Sequence, residues 1–511
     1  MNSFIDFLAL HASKQPDKLA VIFNDIKMTY RLLNERVCKL ANALQKLGVR
    51  KGNRVAILLH NGNEIVEAVY ASAKIGAVSI SLNFRLVGRE LVYIINDSDA
   101  SVVIYGQEFS EIIDSIRPEL DKVRNFILVG SDGNHSNTLS YEKLIQSNSA
   151  EEPHIQISLE DESSIIYTSG TTGKPKGVLR THRANLWASL NQILEMGHRS
   201  KDIEMYVVPL FNVGFFNYLT PNIVAGATVI VARQFDPIDV LQKIQEEKVN
   251  RIFMVPIMWN RLMSEMDKHS YDVSSLKTAS SGAASCPLSI KKKMEEYFPG
   301  IQIWEAYGLS EGGVTLLHPE DSIRKIGSVG KPTMTNEARI VDYQDNEVEA
   351  NQIGEIIFRG PSIMKEYYKN PKATQDAFKS GWFHTGDLAK VDEEGFIYIV
   401  DRKKDMIVSG GENIYPKEIE EVLFMHPKIY EAAVIGLPDE KWGESVMAVV
   451  VAKPGEKLSP EEVVSFCQKN LASYKKPKFV EIVNSLPTNP SGKVVKHKLR
   501  SRFMEKYNSN R

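Results

Sequence analysis

Residues 167–177 have a composition suited to binding a polyphosphate. The stretch holds four Ser or Thr hydroxyls, three glycines and two lysines, and it follows the strand-like apolar run 163–167. Glycine lets the backbone turn inward so that N–H groups surround an anion, while hydroxyl and ammonium groups add donors and positive charge. A flexible linker is the alternative, but linkers rarely lie between two apolar runs. The segment therefore predicts a site for a nucleotide triphosphate.

The same residues differ from a Walker A loop. That loop needs a lysine followed by Ser or Thr, whereas Lys174 is followed by Pro175. The hydroxyl that would bind Mg²⁺ and an uninterrupted helix start are therefore both missing. The sequence also lacks a protein-kinase catalytic loop, so a kinase or an ATPase is disfavoured.

Four further motifs follow in chain order. They are Tyr-Gly-Leu-Ser-Glu at 307–311, Trp-Phe-His-Thr-Gly-Asp at 382–387, a charged stretch leading to Ser-Gly-Gly-Glu-Asn-Ile-Tyr-Pro at 401–416, and Pro-Thr-Asn-Pro-Ser-Gly-Lys at 487–493. Together with residues 167–178 they resemble the core motifs of the adenylate-forming (ANL) superfamily, which includes acyl-CoA synthetases, luciferases and peptide-synthetase adenylation domains. The resemblance covers nearly the whole chain, and its hinge motif is most similar to that of fatty-acyl-CoA synthetases.

The resemblance implies an ATP-dependent acid–CoA ligase that uses Mg²⁺. A carboxylate attacks the α-phosphorus of ATP to give an acyl-adenylate and pyrophosphate, and the CoA thiol then displaces AMP. A hydrophobic acid is expected, with a medium- or long-chain fatty acid ahead of an aryl, cinnamate-like or o-succinylbenzoate-like acid. Two alternatives remain open: transfer of the acyl group to a carrier protein, and, least favoured, a binding protein without chemistry.

The resemblance assigns catalytic roles to a few polar residues. Lys493 would bridge the attacking carboxylate and the α-phosphate, where a cation offsets the repulsion between two anions. Glu311 would hold Mg²⁺ together with Thr171, since Mg²⁺ is usually bound by one or two carboxylates and phosphate oxygens. Asp401 would be the hinge about which the C-terminal domain rotates between the two half-reactions.

The nucleotide site implied by the resemblance combines small, hydroxyl and charged residues. Asp387 would accept hydrogen bonds from both ribose hydroxyls, and Arg402 would reach the same ribose or the phosphate. The alternative for Asp387 is an ordinary turn aspartate after a glycine. Tyr307 would offer a ring face to the adenine. The complete set is Thr168, Ser169, Gly170, Thr171, Thr172, Gly173, Lys176, Gly282, Ala283, Ala284, Glu305, Ala306, Tyr307, Gly308, Ser310, Asp387, Ile399, Arg402 and Lys493.

The acyl pocket expected from the resemblance is apolar or lined by small residues. Its members are Phe211, Asn212, Val213, Gly214, Phe215, Trp259, Gly282, Gly308 and Gly313. Such a lining suits a hydrophobic tail, although a core position is the stronger alternative for Trp259. Asn212 stands where many acyl-CoA synthetases have histidine, which weakens the expectation of ordinary long-chain specificity. Because Asn212 is not a carboxylate, an amino-acid substrate is disfavoured.

The CoA thiol is expected to approach through a glycine-containing loop. Paired glycines let a backbone come close to a thin ligand such as pantetheine. The residues implied by the resemblance are Lys404, Ser409, Gly410 and Gly411.

Alternating strand and helix patterns must position these motifs. The strand-like run 54–59 precedes a helical stretch at 64–76, and 227–231 precedes 236–248, a rhythm that predicts parallel α/β layers. We expect an α/β fold with a large N-terminal AMP-binding domain at 1–400. It would contain two α/β subdomains, at about 1–160 and 161–326, and a small β-barrel-like subdomain at 327–400. A small, mobile α+β domain would follow at 401–511.

The bulk composition narrows the class of protein. A chain of 511 residues should hold more than one domain, and a net charge of −2 gives no footprint for nucleic acid. The three cysteines, Cys38, Cys286 and Cys467, are widely spaced, which argues against disulfides or a zinc site and for a cytoplasmic enzyme. We expect no transmembrane segment, leave peripheral membrane contact open, and expect a monomer or a homodimer.

Overall fold

The computed structural model describes residues 3–130, 137–168, 175–284, 286–410, 412–439, 441–488 and 494–508. The chain divides into two compact units. The first comprises Met1–Ala338 and Phe358–Phe383, and the second comprises Arg339–Ile357 and His384–Arg511. The expected combination of a large N-terminal and a small C-terminal part is confirmed. The β-rich stretch predicted at 327–400 is shared between the units, and the boundary at residue 401 stays a prediction.

Two large sheets organise the first unit. In spatial order, the nine-stranded sheet contains Lys331–Pro332, Gly312–Leu317, Gln302–Leu309, Thr278–Gly282, Arg251–Met254, Ile203–Tyr206, Thr228–Val231, Leu19–Phe23 and Ile26–Thr29. The eight-stranded sheet contains Glu366–Tyr367, Lys176–Thr181, Glu162–Thr168, Val78–Ser81, Arg54–Leu58, Ala100–Gly106, Asn125–Val129 and Leu139–Ser140. The inner strands of both sheets are parallel, while antiparallel strands close one or both edges.

Helices cover the sheets of the first unit. They are Ile5–Lys14, Tyr30–Lys46, Asn63–Lys74, Gly88–Asp97, Ser110–Ile116, Tyr141–Ser147, His182–Met196, Thr220–Ala225, Pro237–Glu247, Pro256–Met266, Leu288–Tyr297 and Pro371–Ala377. Parallel strands buried on both faces need continuous apolar runs. The strand Thr228–Val231, which is buried at every position, satisfies this requirement. The predicted alternation of strands and helices is therefore confirmed.

Two five-stranded sheets account for the rest of the strands. The first has the order Glu337–Val341, Gly354–Arg359, Trp382–Val391 and Phe378–Lys379, with Ile397–Arg402 also paired to Trp382–Val391. The second has the order Glu412–Ile414, Ile407–Ser409, Gly443–Ala452 and Ile429–Asp439, with Phe479–Ile482 also paired to Gly443–Ala452.

The C-terminal part of the second unit is a small α+β structure. Its helices are Pro416–Phe424, Pro460–Asn470 and Lys496–Asn508. Ile419, Val434, Val450 and Val463 belong to one buried cluster of this unit. Among the described residues, none of the helices has both the length and the apolar character that crossing a bilayer requires.

Candidate active site

The two ends of the predicted phosphate loop are held side by side by paired strands. Thr168 ends one strand and lies opposite Lys176, which begins the next antiparallel strand. The tip of the loop lies outside the described residues, as do the predicted catalytic lysine and one glycine of the CoA segment. These undescribed predictions are Ser169, Gly170, Thr171, Thr172, Gly173, Gly411 and Lys493.

A buried arginine supports the turn that carries the candidate metal ligand. Arg180 is only 1% exposed. Its Nη1 donates to the carbonyl oxygen of Ser310 at 2.9 Å, and its Nε donates to Oδ1 of Asn185 at 2.8 Å. Burial lowers the pKa of Arg180 to about 10, and the negative charge of Glu311 opposes that shift. A guanidinium with such a pKa remains charged at neutral pH, so the turn lies beside a fixed cation.

Glu311 is fixed through both its backbone and its side chain. It lies in the turn between two antiparallel strands, where Leu309 is paired with Gly312. Its carbonyl oxygen accepts a hydrogen bond from the Met364 N–H at 2.7 Å. Its carboxylate Oε1 accepts one from the Tyr367 hydroxyl at 2.8 Å. The carboxylate that is predicted to bind Mg²⁺ is therefore held in one orientation by the protein.

Glu311 is the carboxylate that the resemblance assigns to Mg²⁺. Among the residues that the structure describes, no cluster of three or more His, Cys, Asp or Glu side chains could hold a metal ion. Tyr367 is the one described residue that donates a hydrogen bond to the Glu311 carboxylate, so Oε2 remains available. One carboxylate oxygen, completed by phosphate oxygens and water, is a usual coordination for Mg²⁺. The arrangement fits a metal that arrives with ATP.

The structure brings the two predicted adenine segments together. Gly282, at the end of one strand, lies opposite Ala306 of its parallel neighbour. A Cβ atom at position 282 would lie 3.0 Å from the Ala306 carbonyl oxygen. Beyond the strand, Ala283 has φ of +64°, and both Ala283 and Ala284 are exposed. The Tyr307 ring packs against Phe358 with centroids 6.5 Å apart.

The Glu305 carboxylate is occupied by the protein itself. It forms an ion pair with the ammonium of Lys291, whose side chain is fully buried, and it accepts a hydrogen bond from the Cys286 N–H at 3.3 Å. Burial raises the pKa of Glu305, and Lys291 opposes that shift. Glu305 therefore has its backbone, rather than its carboxylate, to offer a purine base. Sequence reasoning missed Lys291, because nothing distinguishes it from the neighbouring lysines 292 and 293.

The predicted acyl segment begins with a turn that Asn212 closes. Its Oδ1 accepts a hydrogen bond from the Gly214 N–H at 2.8 Å, and its carbonyl oxygen accepts one from the Phe215 N–H at 3.1 Å. A π-helical turn follows at Phe215–Leu219, a form that often occurs at functional sites. Val213 is half-buried. Asn212, the departure from the expected histidine, thus has a local structural role.

Phe211 and Phe215 have different surroundings. Phe211 is half-buried and packs edge-to-face with Phe84, with centroids 5.4 Å apart. Phe215 is 2% exposed and packs against Tyr70 and Phe216. Phe211 is therefore the aromatic residue of this segment with surface left for a ligand.

Trp259 and two glycines of the predicted pocket have clear packing roles. Trp259 is fully buried and its ring meets Phe298 edge-on at 6.0 Å, which is core packing. Gly313 has φ of +74°, and a Cβ atom there would meet the ring of Phe358. A Cβ atom at Gly308 would lie 3.2 Å from Val314 Cγ2. Gly313 therefore needs to be glycine for the fold, whereas a larger residue at Gly308 would require Val314 to shift slightly.

In the second unit, the predicted ribose ligands face each other. Asp387 and Arg402 are register partners on paired strands, and Arg402 Nε lies 2.6 Å from Asp387 Oδ1. The Asp387 side chain is 4% exposed and that of Arg402 is 45% exposed. The Asp387 N–H donates to Thr385 Oγ1 at 3.0 Å. Ile399 lies on the same strand as Arg402, opposite Ala389.

The predicted hinge residue caps a helix. Asp401 is 7% exposed. Its Oδ2 accepts a hydrogen bond from the Lys417 N–H at 2.7 Å, in the first turn of Pro416–Phe424, and its Oδ1 accepts one from the Arg402 N–H at 2.7 Å. Lys417 also donates from Nζ to the Ile399 carbonyl oxygen at 3.0 Å. The sequence did not reveal Lys417, although Pro416 is a typical helix-start signal.

The predicted CoA segment includes one side of a β-hairpin. Ser409 ends the strand Ile407–Ser409 and lies opposite Glu412. Gly410 has φ of +62°, and its N–H donates to the Trp442 carbonyl oxygen at 2.7 Å. Lys404 is exposed, in the turn that follows Ile397–Arg402. A side chain at Gly410 would press on the Trp442 ring, so the hairpin needs glycine there.

Comparisons with known proteins agree with these motifs. Residues 8–368 match the AMP-binding enzyme family, and residues 418–493 match the AMP-binding enzyme C-terminal domain. The chain is 38% identical to the long-chain-fatty-acid–CoA ligase FadD13 of Mycobacterium tuberculosis, over 94% of each chain. It is 36% identical to a feruloyl-CoA synthase of Amycolatopsis, over 96% of this chain and 97% of the relative. The structure of o-succinylbenzoate CoA synthetase (MenE) from Bacillus subtilis with AMP aligns with a TM-score of 0.87, 31% identity and 98% coverage of each chain.

Proposed function

Because this chain belongs to the AMP-binding enzyme family and is an ATP-dependent acid–CoA ligase, we propose that it activates a hydrophobic carboxylic acid, with medium- or long-chain fatty acids as the first candidates. In the first half-reaction, a carboxylate oxygen bonds to the α-phosphorus of ATP as the bond to pyrophosphate breaks. In the second, the sulfur of CoA bonds to the acyl carbon, AMP leaves, and the thiol proton is released.

The lack of charged side chains within the acyl segment carries the substrate proposal. Residues 206–219 contain no ionisable acid or base except two tyrosines. The carbonyl oxygen of the Asn212 amide is already bonded to the Gly214 N–H. A charged tail would lose its hydration here without gaining a charged partner from this segment, whereas each buried methylene gains about 0.8 kcal/mol. A hydrophobic tail is therefore favoured over a charged one.

The site residues take the following proposed roles. Glu311 holds Mg²⁺, which when bound neutralises phosphate charge and polarises the α-phosphate. Lys493 bridges the acid and the α-phosphate, with the loop residues 168–173 and Lys176 around the phosphates. Asp387 and Arg402 bind the ribose, while the segments 282–284 and 305–308, with Ser310, surround the adenine.

The second half-reaction uses residues of the proposed C-terminal domain at 401–511. Rotation about Asp401 exchanges Lys493 for the CoA segment formed by Lys404, Ser409, Gly410 and Gly411. The proposed location is cytoplasmic, in keeping with three buried free cysteines.

An aryl acid is the second candidate. The feruloyl-CoA synthase is nearly as similar to this chain as the fatty-acid ligase is, at 36% against 38% identity. Phe211 and Phe84 also offer aromatic surface on which a planar acid could pack.

ATP–pyrophosphate exchange tests these proposals. We would measure exchange with fatty acids from octanoate to stearate, with ferulate, cinnamate and o-succinylbenzoate, and then add CoA and detect the thioester. The fatty acids should give the highest kcat/KM and yield acyl-CoA. Higher values for the aryl acids would select the second candidate. Thioester formation only with a phosphopantetheinylated carrier protein would contradict CoA as the acceptor.

A further inference from the structure

Tyr367 contacts two charged residues that the motifs assign to the nucleotide site. Its hydroxyl donates to Glu311 Oε1 at 2.8 Å. The Nζ atom of Lys176 lies 4.9 Å from the centroid of the Tyr367 ring, within the range of a cation–π interaction. Tyr367 itself belongs to none of the five motifs, and it is 56 residues from Glu311 along the chain.

The backbone around Tyr367 is held from two sides. Its strand pairs with Lys176–Thr181, placing Tyr367 opposite Val178. Its N–H donates to Thr374 Oγ1 at 3.0 Å. Tyr367 as a whole is 9% exposed, so its hydroxyl offers the Glu311 carboxylate a hydrogen-bond donor in a largely buried position.

A single fixed donor has a specific effect on a carboxylate that binds a metal. An ionised carboxylate can accept hydrogen bonds on two oxygens. A donor bound to Oε1 fixes the plane of the group and leaves Oε2 for a cation, as outer partners of metal ligands usually do. The ring face meanwhile attracts the Lys176 ammonium. The described contacts include no ion pair between Lys176 and Glu311, so these two charges do not neutralise each other directly.

We propose that Tyr367 is a positioning residue that orients Glu311 toward the metal of metal–ATP and holds the Lys176 ammonium beside the phosphate loop. The inference rests on the proposed role of Glu311 as the Mg²⁺ ligand. It adds a residue that acts on the metal and phosphates without touching either.

The variant Tyr367→Phe tests the inference, because it removes only the hydroxyl and keeps the ring under Lys176. By calorimetry, Mn²⁺–ATP should bind about tenfold more weakly, the loss expected when a hydrogen bond to a charged group is removed. Metal-free ATP should bind within about twofold of wild type. In the exchange assay, KM for Mg²⁺ should rise by the same factor, while kcat at saturating Mg²⁺ changes little.

The adjacent tyrosine provides a matched control. The Tyr368 hydroxyl donates to Asp99 Oδ2 at 2.9 Å and accepts from Arg54 Nη2 at 2.7 Å. Tyr368→Phe therefore makes the same chemical change one residue away, in contact with a different carboxylate. Its affinity for Mn²⁺–ATP should match that of wild type.

Glu311→Gln separates failure of the inference from failure of the proposed function. If Tyr367 acts through Glu311, Tyr367→Phe should have no further effect on Mn²⁺–ATP affinity in the Glu311→Gln background. If Glu311→Gln weakens binding and Tyr367→Phe does not, the positioning role is wrong and the metal role of Glu311 stands. If Glu311→Gln leaves binding unchanged, the metal role and the inference both fail. Equal weakening of metal-free and metal-bound ATP by Tyr367→Phe would also overturn the inference.

Discussion

Replacing Lys291 with methionine should expose the electrostatic support beneath the adenine segments. The Lys291 side chain is fully buried, that of Glu305 is 9% exposed, and the two form an ion pair. Lys291 also donates to the Ser322 carbonyl oxygen at 2.7 Å. Methionine keeps most of the volume but removes the charge and the donors. The Glu305 carboxylate would then remain buried with the Cys286 N–H as its described partner.

The expected loss of folding free energy in Lys291→Met follows from leaving the Glu305 charge buried without its partner. Removing one partner typically costs about 3–5 kcal/mol of folding free energy. The cost should depend on pH in a defined direction. Burial already raises the pKa of Glu305, and Lys291 opposes that shift, so the pKa should rise further in the variant. An acid whose pKa is higher in the folded state is relatively more stable at low pH. The deficit of Lys291→Met should therefore be largest near pH 8 and shrink toward pH 5.

Urea denaturation at several pH values can measure this deficit. Trp304, adjacent to Glu305 and 7% exposed, offers a fluorescent probe in the affected strand. Lys292→Met is the matched control, because Lys292 is the next residue on the same helix and is exposed. That control should change the unfolding free energy by less than about 0.5 kcal/mol. If Lys291→Met equals the control at pH 8, or if its deficit grows toward acid, the reasoning about the ion pair is refuted.

Three other residues give independent tests. Asp401→Ala removes the side-chain acceptor of the Lys417 N–H and should cost about 1 kcal/mol of stability. In single-turnover kinetics, the variant should slow thioester formation more than adenylation. The opposite order would contradict the hinge role. Asp387→Asn should raise KM for ATP about tenfold and leave KM for CoA unchanged, as steady-state kinetics can show. Burial lowers the pKa of His182 to about 4, and Ser3 Oγ lies 2.6 Å from its Nδ1. The pKa of His182 is thus lower in the folded state than in the unfolded state. The free energy of unfolding is therefore at its full value above pH 6.5 and falls by about 3 kcal/mol toward pH 4. Denaturation of His182→Gln should show a smaller loss between pH 7 and 4.5.

Local patterns in the sequence were sufficient to predict individual elements. The apolar run at 227–231 became the strand Thr228–Val231, because strands buried on both faces need uninterrupted apolar residues. The predicted helical stretch at 236–248 became Pro237–Glu247, with the Asp236 side chain accepting hydrogen bonds from the N–H groups of Ile238 and Asp239 at its start. The sharing of residues 327–400 between two units could not be predicted in this way. Strand pairing in that region depends on contacts between residues that are distant in sequence.

In the candidate site, too, side-chain contacts between residues that are distant in sequence could not be predicted. Motif resemblance identified Glu311, Asp387 and Arg402, and the last two are indeed partners across paired strands. It did not reveal Tyr367, because tyrosine is common in β-strands and its presence there indicates no functional role. Its contact with Glu311 exists only because the short strand Glu366–Tyr367 pairs beside Lys176–Thr181.

Two buried cations of the first unit lie near glutamates that also belong to the candidate active site. Arg180 and Lys291 are both buried. Glu305 forms an ion pair with Lys291, and the negative charge of Glu311 favours the charged form of Arg180. Glu311 therefore has a structural task alongside its proposed metal task. A substitution that removes its charge should weaken folding as well as metal–ATP binding, since Arg180 loses a favourable negative charge nearby. For Glu311→Gln, stability and metal affinity must consequently be measured on the same preparation. A loss of affinity that exceeds the fraction of protein unfolded is then attributable to the metal site.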